Sequence, residues 1–235
     1  MESKKLPNPF HVGIIMDGNE RGGGHETGYL ALKELLPQVW GYGVTHLTCF
    51  ALSADNLNKR GEEAMMIKNL ICRGIKEIGY SPWFKDKCAR LLVIGAWRYN
   101  QYCESHCWLT IDGLVESTKN NTGPVLTVAF MYDGQEEIVE MAERIRMEMP
   151  WPRFPSLTRA DIQKRFGSSE LPEVNLLIRT GEEDPQWTHL SSYFLPWQLG
   201  YTQIYSTPTF WPQFTIKEFE EAIVKYRARR RLRGA

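Results

Sequence analysis

Short apolar runs alternate along this chain with longer stretches in which apolar residues recur every three or four positions. Val12-Gly13-Ile14-Ile15-Met16 reads as a buried strand, followed by a helical pattern of Tyr29, Leu32, Leu35, Leu36 and Val39. A second strand is predicted around Leu47 to Leu52 and a helix from about Glu62 to Ile78. Leu91 to Ile94, Val125 to Phe130 and Val174 to Ile178 supply three more strands, and a last helix runs from near Ile216 to Arg230. Strands apolar on both faces and separated by helices predict an α/β fold, a mainly parallel central sheet covered by helices on both faces. Such sheets bind ligands beyond the carboxyl ends of their strands. That directs attention to Asp17 onward, Ser53 onward, Tyr132 onward and Arg179 onward.

No internal repeat or long Gly/Ser linker divides the 235 residues, so the reading is one domain over residues 1–235. Hydrophobic residues at 43% and charged residues at 24% are ordinary for a globular chain able to bury its own core. Basic and acidic residues both number 28, which argues against a protein that coats nucleic acid by excess positive charge. From Lys225 onward there are six basic residues and no acid, leaving a body with 22 basic and 28 acidic residues. The basic end suits the negative end of a helix dipole, as any solvated helix end would. Five cysteines, Cys49, Cys72, Cys88, Cys103 and Cys107, include no C-x-x-C spacing and read as free thiols in a reducing compartment. The opening segment has no apolar h-region, and nowhere do 18 apolar residues run together. The expectation is a cytoplasmic protein with no transmembrane segment.

The first strand leads into Asp17-Gly18-Asn19-Glu20-Arg21-Gly22-Gly23-Gly24-His25. Glycines let backbone N–H groups approach an anion, and the helix that follows offers its positive end. Asp17 could hold Mg²⁺ bridging phosphate oxygens, with Arg21 as a forked clamp. A plain strand-to-helix turn would look similar. No G-x-x-x-x-G-K-[ST] is present, which argues against a P-loop nucleoside triphosphatase. After the second strand, Ser53 or Asp55 fits either a ligand site or a helix cap. After the fifth, Arg179-Thr180-Gly181 can offer guanidinium, hydroxyl and backbone N–H to a phosphate.

Taken in order, these stretches resemble the cis-prenyltransferase family, the undecaprenyl diphosphate synthase-like enzymes. The resemblance rests on His11 to Asn19, Leu176 to Gly181, Trp197 to Tyr201 and Phe210 to Phe214. It implies a hydrophobic tunnel, a homodimer, and Mg²⁺-assisted loss of diphosphate from an allylic prenyl diphosphate, normally with isopentenyl diphosphate as second substrate. It also implies Asp17 as metal and catalytic carboxylate, with Gly18, Asn19, Arg21 and His25 around the allylic diphosphate. Asn56 would serve proton removal, and Arg179 would bind the second diphosphate. Ser53, Arg60, Thr180 and Ser192 complete the expected diphosphate contacts.

The chain departs from the family pattern on the isopentenyl diphosphate side. The loop between Arg21 and His25 is short, and Leu52-Ser53-Ala54-Asp55-Asn56-Leu57 replaces Phe-Ser-x-Glu-Asn-Trp. About five residues are inserted at Asp184 to Thr188, Leu190 stands where a second Arg is expected, and Gln203 replaces a late Glu. The function expected is a prenyltransferase for short allylic diphosphates, by irregular allylic-plus-allylic coupling or short-chain synthesis. Alternatives are a lyase or cyclase that ionises one prenyl diphosphate, and a non-catalytic subunit of a prenyltransferase. Tyr80, Trp83 and Phe84 are expected to narrow the tunnel, unless they are ordinary core.

Overall fold

The computed structural model describes residues 5–54, 62–98, 105–149, 156–184 and 187–229, excepting the side chains of Glu62, Arg98, Ser105, His106 and Ser192. Six parallel strands form one sheet in the order β3-β4-β2-β1-β5-β6. They are β1 (His11–Ile15), β2 (His46–Ser53), β3 (Arg90–Ile94), β4 (Val125–Tyr132), β5 (Leu176–Arg179) and β6 (Gln203–Ser206). The helices are α1 (His25–Val39), α2 (Glu62–Tyr80), α3 (Pro82–Asp86), α4 (Ser105–Thr118), α5 (Gly134–Glu148), α6 (Arg159–Gln163) and α7 (Ile216–Ala228).

All five residues of β1 are buried, as expected of a strand covered on both faces. Its side chains alternate between two cores. Val12 and Ile14 join Leu36, Ile75, Ile111 and Phe219 on one side of the sheet. Ile15 joins Phe50, Leu177 and Phe194 on the other. The chain moves from β1 to β2 on one side and later places β5 on the other, so β1 marks the reversal of strand order. A crevice for ligand therefore opens beyond its carboxyl end.

Two expectations are corrected. The sheet has a sixth strand, the four-residue edge β6, which is only partly buried and carries no apolar run. The cysteines are not all free thiols: Cys72 on α2 is bonded to Cys107 on α4. The packing of α2 against α4 brings their Cα atoms to 6.0 Å although they are 35 residues apart in sequence. Cys49 and Cys88 are free, and Cys103 lies outside the described residues. No helix among the described residues is long and apolar enough to cross a membrane.

Candidate active site

The turn after β1 is folded around the backbone of Asp17. The Thr180 hydroxyl donates to the Asp17 carbonyl at 2.8 Å, and the Trp211 N–H donates to the same oxygen at 2.9 Å. Gly181 packs so closely that a Cβ there would lie 2.8 Å from that carbonyl, and its φ of +68° also favours glycine. The two segments after β1 and β5 thus form one rigid corner. Thr180, expected to face a phosphate, is fully buried and its hydroxyl serves the corner instead.

The Asp17 side chain stays half-exposed at this corner. Its Oδ1 accepts from the Gly18 N–H at 2.6 Å, and its Oδ2 accepts from Arg179 Nη2 at 3.0 Å. Arg179 is only 3% exposed, and every arm of its guanidinium is engaged. Nε donates to Glu182 at 2.8 Å, Nη1 to the Ser191 hydroxyl at 2.6 Å, and Nη2 also lies 3.2 Å from His189 Nε2. Arg21 approaches from the other side, 3.8 Å from Asp17 Oδ1. It donates to the Gly181 carbonyl and to Glu183, with its guanidinium over the Phe210 ring at 4.8 Å. One carboxylate therefore stands between two guanidiniums, at the mouth of a cleft.

Asn19 holds the turn from within. Its Nδ2 donates to the Met16 carbonyl at 2.9 Å, and its own carbonyl accepts from the N–H groups of Gly22 and Gly24. Its side-chain oxygen rests on α1 at Gly28, where any Cβ would fall within 1.8 Å of it. Gly28 escaped sequence reasoning because a helical glycine carries no chemical signal of its own. The same glycine carbonyl accepts from the Trp211 indole at 2.8 Å.

These residues line a cleft of about 570 Å³ that includes Gly18, Arg21, Ser53, Arg179, Leu190 and Ser191. Beside it lies an apolar cavity of about 80 Å³ between the sheet and helices α1 and α2. Met16, Asn19, His25, Ala51 and Ile67 line both spaces, so a charged mouth adjoins an apolar recess. Tyr80, Trp83 and Phe84 line neither of these two spaces. Tyr80 is exposed beside Lys85, and Phe84 is in the core.

Of the expected site residues, the structure gathers Asp17, Gly18, Asn19, Arg21, His25, Ser53 and Arg179 around one cleft. Asn56, Arg60 and the Ser192 side chain lie outside the described residues. Ser191, which sequence reasoning did not single out, accepts a hydrogen bond from Arg179. Gln203 is not in the cleft. It opens β6 opposite Leu176, three residues before the level of Arg179, or about 10 Å along the strand.

Against known proteins, a model of the undecaprenyl diphosphate synthase family (Prenyltransf) matches residues 15–234. This chain belongs to the undecaprenyl diphosphate synthase family. The isoprenyl transferase of Streptococcus thermophilus (strain CNRZ 1066) is 33% identical over 241 residues, covering 96% of this chain and 93% of the relative. That of Listeria monocytogenes serotype 4b (strain F2365) is 30% identical over 243 residues, covering 99% and 92%. Lavandulyl diphosphate synthase from Lavandula x intermedia, solved in complex with dimethylallyl diphosphate, superposes with a TM-score of 0.79. It is 29% identical and covers 95% of this chain and 97% of its own. The expected α/β class and cis-prenyltransferase membership hold, and the chain is a prenyl-diphosphate transferase of this undecaprenyl diphosphate synthase family.

Proposed function

We propose that this enzyme transfers a prenyl group from a short allylic diphosphate to a second prenyl diphosphate. The observation that carries the reading is Asp17 set between Arg21 and Arg179, at a charged mouth joined to an apolar recess. A diphosphate head and a hydrocarbon tail fit those two spaces in that order. The solved lavandulyl diphosphate synthase, bound to dimethylallyl diphosphate, makes a short allylic substrate a natural choice. The relatives are transferases, and no feature of the geometry favours the cyclase or the non-catalytic subunit.

Asp17 suits Mg²⁺, because its carboxylate is half-exposed toward the cleft and that ion takes one or two carboxylates with phosphate oxygens and waters. When bound, Mg²⁺ supplies charge compensation for the departing diphosphate. Arg21 holds and orients that diphosphate, and Arg179 takes the diphosphate of the second substrate. The C1–O bond breaks with its electron pair leaving on the diphosphate. The π electrons of the second prenyl diphosphate form the new C–C bond at C1, and the adjacent carbon gives up a proton to the released diphosphate. The cavity beside Met16 and Ala51 shelters the cationic carbon from water.

The second substrate is a further allylic diphosphate in this reading. Leu190, on the cleft wall beside Ser191, offers no charge to isopentenyl diphosphate, and Arg179 is the one guanidinium on that side among the described residues. Losing one charge-assisted clamp weakens a diphosphate by about ten- to hundredfold. The recess of about 80 Å³ favours short products. The active form is a homodimer working in the cytoplasm.

Incubating the purified enzyme with dimethylallyl diphosphate, with and without isopentenyl diphosphate, and weighing the products tests this reading. Diphosphate release should persist without isopentenyl diphosphate, and the rate should rise with the square of allylic substrate at low concentration. A linear rise to a hydrocarbon or alcohol would indicate a single-substrate lyase. Strict dependence on isopentenyl diphosphate, or products of eight or more isoprene units, would make it an ordinary chain-elongating synthase.

A further inference from the structure

We propose that Glu20, His25 and Glu63 hold a divalent transition-metal ion at the rim of the cleft, separate from the Asp17 position. The three come from different elements: the turn after β1, the first residue of α1 and the second residue of α2. One ligand atom from each lies within 4.8 Å of the others. His25 Nε2 is 3.5 Å from Glu63 Oε1 and 3.9 Å from Glu20 Oε1. Both separations exceed a good hydrogen bond, yet they suit a shared ion. Two metal bonds of about 2.1 Å opened to a tetrahedral angle place their donor atoms about 3.4 Å apart.

A second observation points the same way. His25 Nε2 is shielded from solvent and has no hydrogen-bond partner, whereas buried polar atoms are nearly always paired. A neutral imidazole there offers a lone pair to the space between the two carboxylates. Both glutamates also take part in other interactions.

The donor set decides the class of ion. Asp17 offers oxygen alone and suits Mg²⁺, while one imidazole nitrogen with two carboxylates suits Zn²⁺, Mn²⁺ or Co²⁺. Glu20 and His25 also line the cleft, so an open coordination position of this ion would face it. Glu20 otherwise places a carboxylate on the wall of an anion-binding turn. A cation on that carboxylate turns repulsion into attraction, and a phosphoryl oxygen is the ligand it would take. That last step rests on the diphosphate reading above; the ion site does not.

The test uses untagged full-length protein in a Cys88→Ser background, stripped with a chelator and titrated with Co²⁺ under visible absorption. One equivalent should give a band of a nitrogen-ligated site of low coordination number, displaced by Zn²⁺. Glu20→Gln and Glu63→Gln should each weaken it by about tenfold or more, and Asp17→Asn should leave it unchanged. No band, a band that both glutamine variants keep, or a band lost only in Asp17→Asn would overturn the site. Inorganic diphosphate added to the Co²⁺ form should shift the band, and an unmoved band would overturn the phosphoryl ligand. Failure of prenyl transfer would leave the band where it is, so the two readings fail separately.

Discussion

The two ends of β1 use polar side chains in opposite ways. At the amino end His11 is fully buried and completely satisfied by the fold. Its Nδ1 meets the Pro172 carbonyl at 2.9 Å, its Nε2 meets the Thr48 hydroxyl at 2.8 Å, and its backbone N–H donates to Asn175 at 2.7 Å. A carbonyl can only accept, so Nδ1 carries the proton and Nε2 accepts from Thr48. At the carboxyl end Asp17 is half-exposed and faces a cleft. Its backbone is immobilised by Thr180 and Trp211 while its side chain remains open to a ligand. Both residues sit in one short apolar stretch, and burial sets the satisfied His11 apart from the half-exposed Asp17.

The largest effect belongs to Asp17→Asn. The amide keeps shape and an acceptor for Gly18 or Arg179 but loses the charge that would hold the proposed Mg²⁺. Turnover should fall by about 10²–10³-fold with melting temperature nearly unchanged. A rate near that of the wild type at saturating Mg²⁺ would move the chemistry elsewhere.

The amino end should instead answer to pH through stability. Burial pushes the His11 imidazole down to about 4, with His46 nearby adding to the effect, and the Pro172 contact opposes it. Between 6.5 and 4 the unfolded chain then binds more protons at this site than the folded chain. The contribution of His11 is therefore complete above pH 6.5 and is lost as pH falls through 4. The slope is about 1.4 kcal/mol per pH unit, on the order of 3 kcal/mol across the window. His46 is lowered by burial and by Arg90, and acts in the same direction. Urea unfolding of wild type and His11→Gln at several pH values isolates the difference. Parallel curves would show that His11 is not the titrating group.

How far the sequence carried this picture depends on whether a feature is local. Strand β1, helix α1 and the Asp17 turn were legible because apolar period and glycine placement are local properties. Arg179 and Arg21 were legible through motif order at strand ends. Strand β6 was not, because a four-residue edge strand has no apolar run to mark it. The Cys72–Cys107 bond depends on how α2 meets α4, and spacing along the chain says nothing of that. Ser191 was not singled out because nothing in its local sequence marks it; its place on Arg179 depends on how the segment after β5 folds back. Gln203 was read as a departure from the family pattern, and the parallel pairing of β5 and β6 puts it at the opposite end of the strand from Arg179.

Arg179→Ala sharpens the contrast from the other side. It removes a buried guanidinium from Asp17, Glu182 and Ser191 together, so it should weaken inhibition by inorganic diphosphate about ten- to hundredfold. Glu182, left without its partner, should also lower the melting temperature. An unchanged inhibition constant would remove Arg179 from the ligand site and leave it as a brace for the corner.

The smallest effect should come from Thr48→Val, a change that keeps shape at the amino end and removes one hydroxyl. Thr48 is fully buried, and its hydroxyl is the donor to His11 Nε2. Without it the imidazole keeps its bond to Pro172 but buries an unpaired acceptor, at a cost of about 1–2 kcal/mol. For a domain of this size each 1 kcal/mol lowers the melting temperature by about 2–4 °C. Turnover per folded molecule should not change, since Thr48 lies five residues before the end of β2, away from the cleft that Ser53 lines. A loss of turnover without a loss of stability would mean that the amino end of the sheet is coupled to the site, and the separation of roles along β1 would fail.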